Sequence, residues 1–181
     1  SIANIDYLPK RKINKQLILE LASMNFIKSY QNVIVSGCTG SGKSFAIQAL
    51  GNRAIENGYR TYYIRVPTLL EEIKIARATG TYINTLKKYQ RFQLLILDDF
   101  GISQMSSDDA INLLEILEDR VQVNSTIIAS QLPVANWYEY LNNNTVADAI
   151  LDRLVHSSHR IELEGGSMRR IKSTIKKVDE I

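Results

Sequence analysis

Residues 37–44 read GCTGSGKS and match G-x-x-x-x-G-K-[ST] at Gly37, Gly42, Lys43 and Ser44. That spacing suits the holding of a polyphosphate. Glycines let the backbone wrap closely enough for its N–H groups to face phosphate oxygens, and a helix beginning at Lys43 adds its positive end. The Lys43 ammonium reaches β- and γ-phosphates, and the Ser44 hydroxyl offers a ligand to Mg2+. The stretch expected to touch the cofactor is Gly37, Cys38, Thr39, Gly40, Ser41, Gly42, Lys43, Ser44 and Phe45. Its expected occupant is a nucleoside triphosphate, ATP.

Such a loop needs carboxylates opposite it, one for the metal and one for the attacking water. Leu94–Phe100 reads LLILDDF and supplies both: Asp98 for the metal, directly or through water, and Asp99 to polarise the nucleophile. A third apolar run, Thr126–Ser130, ends in Ser130 and Gln131. If this strand lies between the other two, those side chains face the γ-phosphate.

The elements that must position these residues are legible from periodicity. Apolar runs at Asn32–Val35, Tyr62–Val66, Leu94–Leu97, Thr126–Ser130 and Arg160–Leu163 alternate with amphipathic stretches. Helices are predicted over Lys43–Asn57, Pro67–Ala78, Tyr82–Gln90, Asp108–Val121 and Val146–His156, the last behind a Thr145 cap. This is the pattern of an α/β fold with a parallel sheet covered on both faces. Pro133–Asn144, with three consecutive asparagines, is the expected loop.

With 181 residues and 45% hydrophobic content, the chain can bury one sizeable core. It has no run of eighteen apolar residues and no signal-peptide pattern, so a membrane partner is not expected and the cytoplasm is the expected compartment. Cys38 is the single cysteine and His156 and His159 are the two histidines, too few for a zinc set. Any metal is therefore expected to take oxygen ligands. Glu71, Glu72, Asp108 and Asp109 read as helix-start carboxylates that favour the macrodipole, and Trp137 as a packing anchor. The chain starts SIANIDY without methionine, from which a trimmed or processed start is expected.

The 22 Lys and Arg against 19 Asp and Glu are unevenly placed. Lys10, Arg11, Lys12 and Lys15 form one cluster, Lys74, Arg77, Lys87, Lys88 and Arg91 a second, and Arg169, Arg170, Lys172, Lys176 and Lys177 a third. None of the three contains an acid, so the remainder is net acidic. A polyanion-binding surface on an acidic body gives this pattern, and so do solvated charged faces.

The motifs and the wording around them resemble AAA+ ATPases of the IstB/DnaC-like group, and most closely the IstB ATP-binding helpers of insertion sequences. The resemblance is carried by GCTGSGKS (37–44), VPTLLEE (66–72), LLILDDFG (94–101), LLEILEDR (113–120), STIIASQLPVANW (125–137), ADAILDRLVH (147–156) and HRIELEGGSMRR (159–170). It implies a three-layer P-loop fold with a five-stranded sheet ordered 5-1-4-3-2 and a reduced C-terminal lid from Met168. It divides the chain into a linker and first helix (1–30), an ATPase core (31–166) and a basic helix (167–181), with an N-terminal domain expected beyond them. By the same resemblance, residues 37–44 are Walker A, Asp98 and Asp99 Walker B, Ser130 or Gln131 sensor 1, Arg153 an arginine finger and Arg169 sensor 2. A finger supplied by a neighbour makes hydrolysis depend on assembly.

The resemblance further implies self-assembly into a ring or helical oligomer, a transposase partner, and duplex DNA bound without sequence preference. Lys74, Arg77, Lys87, Lys88 and Arg91 lie where such proteins place an extra DNA-facing helix. Tyr82, Tyr89 and Phe92 among them read as packing rather than base stacking. One departure bears on rate: AAA+ enzymes usually carry Glu where this chain has Asp99, and a shorter acid suggests slow turnover. A helicase loader acting on single-stranded DNA is the rival reading. More distant are a scaffold that uses ATP only as an assembly signal and a nucleoside kinase, for which no arginine-rich lid is found.

Overall fold

Continuous apolar runs suit strands buried on both faces, and the three such runs occupy the middle of the sheet. β1 (Asn32–Gly37), β3 (Leu94–Phe100) and β4 (Ser125–Ser130) are almost wholly buried. β2 (Thr61–Arg65) and β5 (Ser158–Leu163) are partly exposed and form the edges. All pairings are parallel, in the order β2-β3-β4-β1-β5, which read from β5 is the expected 5-1-4-3-2. The computed structural model describes residues 11–155 and 157–163. Arg169, the lid expected from Met168 and the third basic cluster lie outside the described residues, as do the side chains of the first cluster.

Helices cover both faces. On one, α1 (Arg11–Ala22), α2 (Asn25–Lys28) and α3 (Lys43–Glu56) bury Ile18, Phe26, Ile47 and Leu50 against Val33, Val35, Ile96 and Ile127. On the other, α4 (Val66–Thr79), α5 (Tyr82–Gln90), α6 (Ser107–Arg120), α7 (Trp137–Tyr140) and α8 (Asn144–Ile150) pack on Ile34, Leu95, Leu97 and Ile128. Among the described residues, no helix is long and apolar enough to cross a membrane.

Three local expectations need correction. Pro133–Asn144 is not a plain loop, because a 3-10 turn at Val134–Asn136 leads into α7, held by fully buried Trp137 whose Nε1–H donates to the Leu132 carbonyl (3.0 Å). The cap of α8 is Asn143 rather than Thr145: its Oδ1 accepts from the Val146 amide (3.1 Å), so the helix starts earlier. It also ends earlier, at Ile150, and continues as a π-helical turn over Leu151–Val155. Glu72 lies beyond the first turn of α4, where it accepts from Tyr89 Oη (2.6 Å) and Lys88 Nζ (3.2 Å); its role is cross-helix pairing, not the macrodipole. Asp109 does sit at a helix start, forming a capping box with Ser106 on α6.

Arg120 is the least expected element of the core. It is 1% exposed and, instead of a carboxylate, meets neutral acceptors: Tyr89 O (2.5 Å), Ser125 O (2.7 Å) and Thr126 Oγ1 (3.0 Å). Burial pulls its pKa down to about 10, which leaves it protonated at neutral pH. One guanidinium thus ties the end of α5, the end of α6 and the start of β4 together. Arg120→Ala strands three buried acceptors and is expected to cost about 3 kcal/mol or more, with Arg120→Lys intermediate. Urea unfolding checks this; a midpoint unchanged in both variants would mean the network is energetically idle.

Candidate nucleotide-binding site

β1 ends at Gly37 because the chain there leaves the sheet in close contact with β5. A Cβ on Gly37 would sit 2.6 Å from both the Leu163 carbonyl oxygen and Ser41 Oγ, so only glycine fits. The loop re-enters helix at Gly42, whose φ of 97° lies in the left-handed region. No side chain caps the amide groups that open the 14-residue α3, in contrast to the capping box on α6, so they remain available to an anion. Lys43 Nζ donates to the carbonyls of Gly37 and, at 3.1 Å, Cys38. Burial lowers the Lys43 pKa from its ordinary value, with Cys38, Asp98 and Asp99 opposing the shift.

Loop and sheet enclose a cavity of about 460 Å³. One wall is Thr39, Gly40 and Gly42–Phe45; the other is Asp98, Asp99, Ser130 and Gln131, with Ile102 beside them. Gly37, Cys38 and Ser41 do not line it and shape the loop instead, Ser41 being fully buried behind it. The sheet order explains this convergence: β4 separates β1 from β3, so the three strand ends meet at one rim.

The acidic wall is built on an irregular backbone. The β3–β4 ladder runs in register to Leu97↔Ile128, shifts, and resumes at Phe100↔Ser130. Within the break Asp99 adopts φ 57°, a conformation that Asp tolerates better than most residues. Its amide donates to Asp98 Oδ1 (2.8 Å), and its carboxylate accepts from Arg65 Nε (2.6 Å). Asp98 Oδ2 accepts from Tyr63 Oη at 2.5 Å. Burial, then this hydrogen bond, pushes the Tyr63 pKa upward.

Sequence reasoning missed Tyr63 and Arg65. The available signal was period two on β2, which puts both on one face of the edge strand beside β3, with Arg65 paired to Asp98 in register.

The two sensor candidates separate. Ser130 Oγ donates to the Phe100 carbonyl (2.5 Å) and accepts from the Leu132 amide (3.0 Å), so its hydroxyl staples the ends of β3 and β4 across the register break. Gln131 is exposed, and its Oε1 accepts from Thr39 Oγ1 of the loop (3.3 Å). Arg153, on the π-helical turn, is outside this cavity and pairs with Glu118 of α6.

The second basic cluster is largely neutralised within the chain. Lys74 pairs with Asp109 (3.4 Å), Arg77 with Glu115 (3.3 Å) and over the Tyr82 ring (3.8 Å), and Lys88 with Glu72. Exposed Lys87 and Arg91 have no ion pair among the described residues. Tyr89 is buried and Phe92 stacks on Tyr62 at 4.7 Å, so these aromatics are packing groups.

Glycine loop, lysine, hydroxyl and paired carboxylates therefore meet around one cavity, and the sequence profile of the IstB-like ATP binding proteins matches residues 1–176. The chain belongs to that family. It is 43% identical over 167 residues to the insertion sequence ATP-binding protein y4pL of Sinorhizobium fredii, covering 92% of this chain and 68% of that one. The insertion sequence IS21 ATP-binding protein of Pseudomonas aeruginosa is 29% identical over 169 residues, 93% of this chain and 64% of its own. The IstB-like chain thus spans about two thirds of the length of these relatives. Among solved structures, AMPPCP-bound DnaA from Aquifex aeolicus superposes with a TM-score of 0.78 at 20% identity, covering 99% of this chain and 55% of that one. The DnaC helicase loader gives 0.73 at 18% identity, over 87% and 92% respectively. At these identities the likeness establishes the AAA+ P-loop fold.

Ser130→Ala removes two hydrogen bonds at the strand ends and is expected to lower stability by about 2 kcal/mol. Gln131→Ala, on the open side of the rim, should leave the melting temperature nearly unchanged. Thermal unfolding without nucleotide distinguishes them, and equal loss in both would refute the staple.

Proposed function

We propose that this cavity binds ATP with Mg2+ and hydrolyses it slowly, in cytoplasmic assemblies that carry target DNA to a transposase. The observation carrying this reading is the opposition of Lys43 and the uncapped start of α3 to Asp98 and Asp99 across one cavity. The donor set fits the metal. Ser44 and Asp98 offer hard oxygens, and among the described residues no three His, Cys, Asp or Glu gather at one point. Mg2+ suits such a site because it accepts one or two protein ligands and completes its shell with phosphate oxygens and water. When bound, it neutralises charge on the triphosphate.

In this reading Lys43 holds the β- and γ-phosphates, Asp98 orients the metal and Asp99 takes the proton of the attacking water. Gln131, tied to Thr39, senses the γ-phosphate. Arg153, absent from its own cavity, completes that of a neighbouring copy, and Arg169 would act from the lid. Kinship with insertion-sequence ATP-binding proteins supports a transposase and target DNA as the partners. Lys43→Ala should abolish Mg2+-dependent ATP binding by calorimetry while the chain stays folded; retained affinity would move the site elsewhere.

For DNA, the observed pairing concentrates the role on Lys87 and Arg91. Lys74, Arg77 and Lys88 are engaged in holding α4, α5 and α6 together. The double variant Lys87→Glu, Arg91→Glu should weaken duplex binding and flatten the slope of log K against log salt by roughly 2 per subunit. An unchanged slope would place the contacts on another surface.

A further inference from the structure

The sheet edge beside the carboxylates has a role that Walker motifs alone do not describe. Among the described residues β2 has no partner strand on its outer side, yet two of its side chains reach the carboxylates of β3. Tyr63 and Arg65 are not among the cavity-lining residues; they contact Asp98 and Asp99 from the neighbouring edge strand. We propose that Tyr63 is a positioning residue for the metal-binding carboxylate, fixing the direction in which Asp98 presents its free lone pairs to Mg2+. This rests on the reading of the cavity as an ATP–Mg2+ site.

The geometry supports it at each atom. Asp98 is 7% exposed and both its oxygens are held, Oδ1 by the Asp99 amide at 2.8 Å and Oδ2 by Tyr63 Oη at 2.5 Å. A carboxylate offers about four lone-pair sites, so each oxygen keeps acceptor capacity after these two bonds. With both ends held, the carboxylate cannot rotate without losing a hydrogen bond. Hydrogen bonds to a metal ligand from outside its coordination shell fix ligand orientation and commonly affect metal affinity.

Tyr63 is 48% exposed, and Tyr63→Phe keeps its ring, so the hydroxyl can be deleted with small disturbance to packing. Sequence logic agrees. A tyrosine on the polar face of an exposed edge strand has no burial to gain there, whereas its hydroxyl stands next to the one acidic pair on β3.

The test is a magnesium titration of nucleotide affinity, using the whole chain and a non-hydrolysable ATP analogue in calorimetry. Tyr63→Phe should reduce the affinity gained on adding Mg2+ by about tenfold while leaving affinity in excess EDTA unchanged. Combined with Asp98→Asn, it should cause no loss beyond that of Asp98→Asn alone. An undiminished or larger Mg2+ gain in Tyr63→Phe overturns the proposal and leaves the nucleotide site standing. An equal fall with and without Mg2+ also overturns it, because it marks a general disturbance. If the parent chain shows no Mg2+ gain at all, it is the underlying site reading that fails.

Discussion

An ammonium and two carboxylates line one cavity, and most of the structure serves to hold them there. Lys43 starts a helix whose amides are uncapped, and Asp98 and Asp99 end a strand buried on both faces. Charges in partly desolvated surroundings interact more strongly than in water but are costly to leave unpaired. Each of these three accordingly has partners within the chain: the Gly37 and Cys38 carbonyls, Tyr63 and Arg65. The parallel order with β4 at the centre of the rim lets a loop from β1 meet an acid pair from β3 with polar side chains between them.

Much of this is legible in the sequence. Gly37 to Ser44, the LLILDDF strand and the STIIAS strand announce themselves because both the inner strands and the phosphate loop are local in sequence, their constraints falling within ten residues. α5 begins and ends where its periodicity indicates, at Tyr82 and Gln90. The strand order came from resemblance, not periodicity, since nothing local distinguishes one parallel order from another.

What could not be read involves partners distant along the chain. Tyr63 to Asp98 and Arg65 to Asp99 depend on β2–β3 register; Arg120 to Tyr89 depends on how α5 and α6 meet. The second basic cluster shows the same limit. Counted along the sequence it holds no acid, but Glu72, Asp109 and Glu115 reach it from α4 and α6, so its field is weaker than its composition suggests. The asparagine run also read more simply than it folds: Asn142 is in the left-handed region and Asn143 caps α8.

The left-handed turn at Asp99 bears on the use of aspartate at a position where the AAA+ resemblance leads one to expect glutamate. Asp is among the few residues other than glycine that enter this backbone region readily; Glu gains nothing comparable from its extra methylene. Reach and backbone shape are thus traded against each other at one position. How far an acid at residue 99 extends from the strand end is set by the bend of the main chain as well as by side-chain length, and a longer acid there would sit in a backbone region that favours it less.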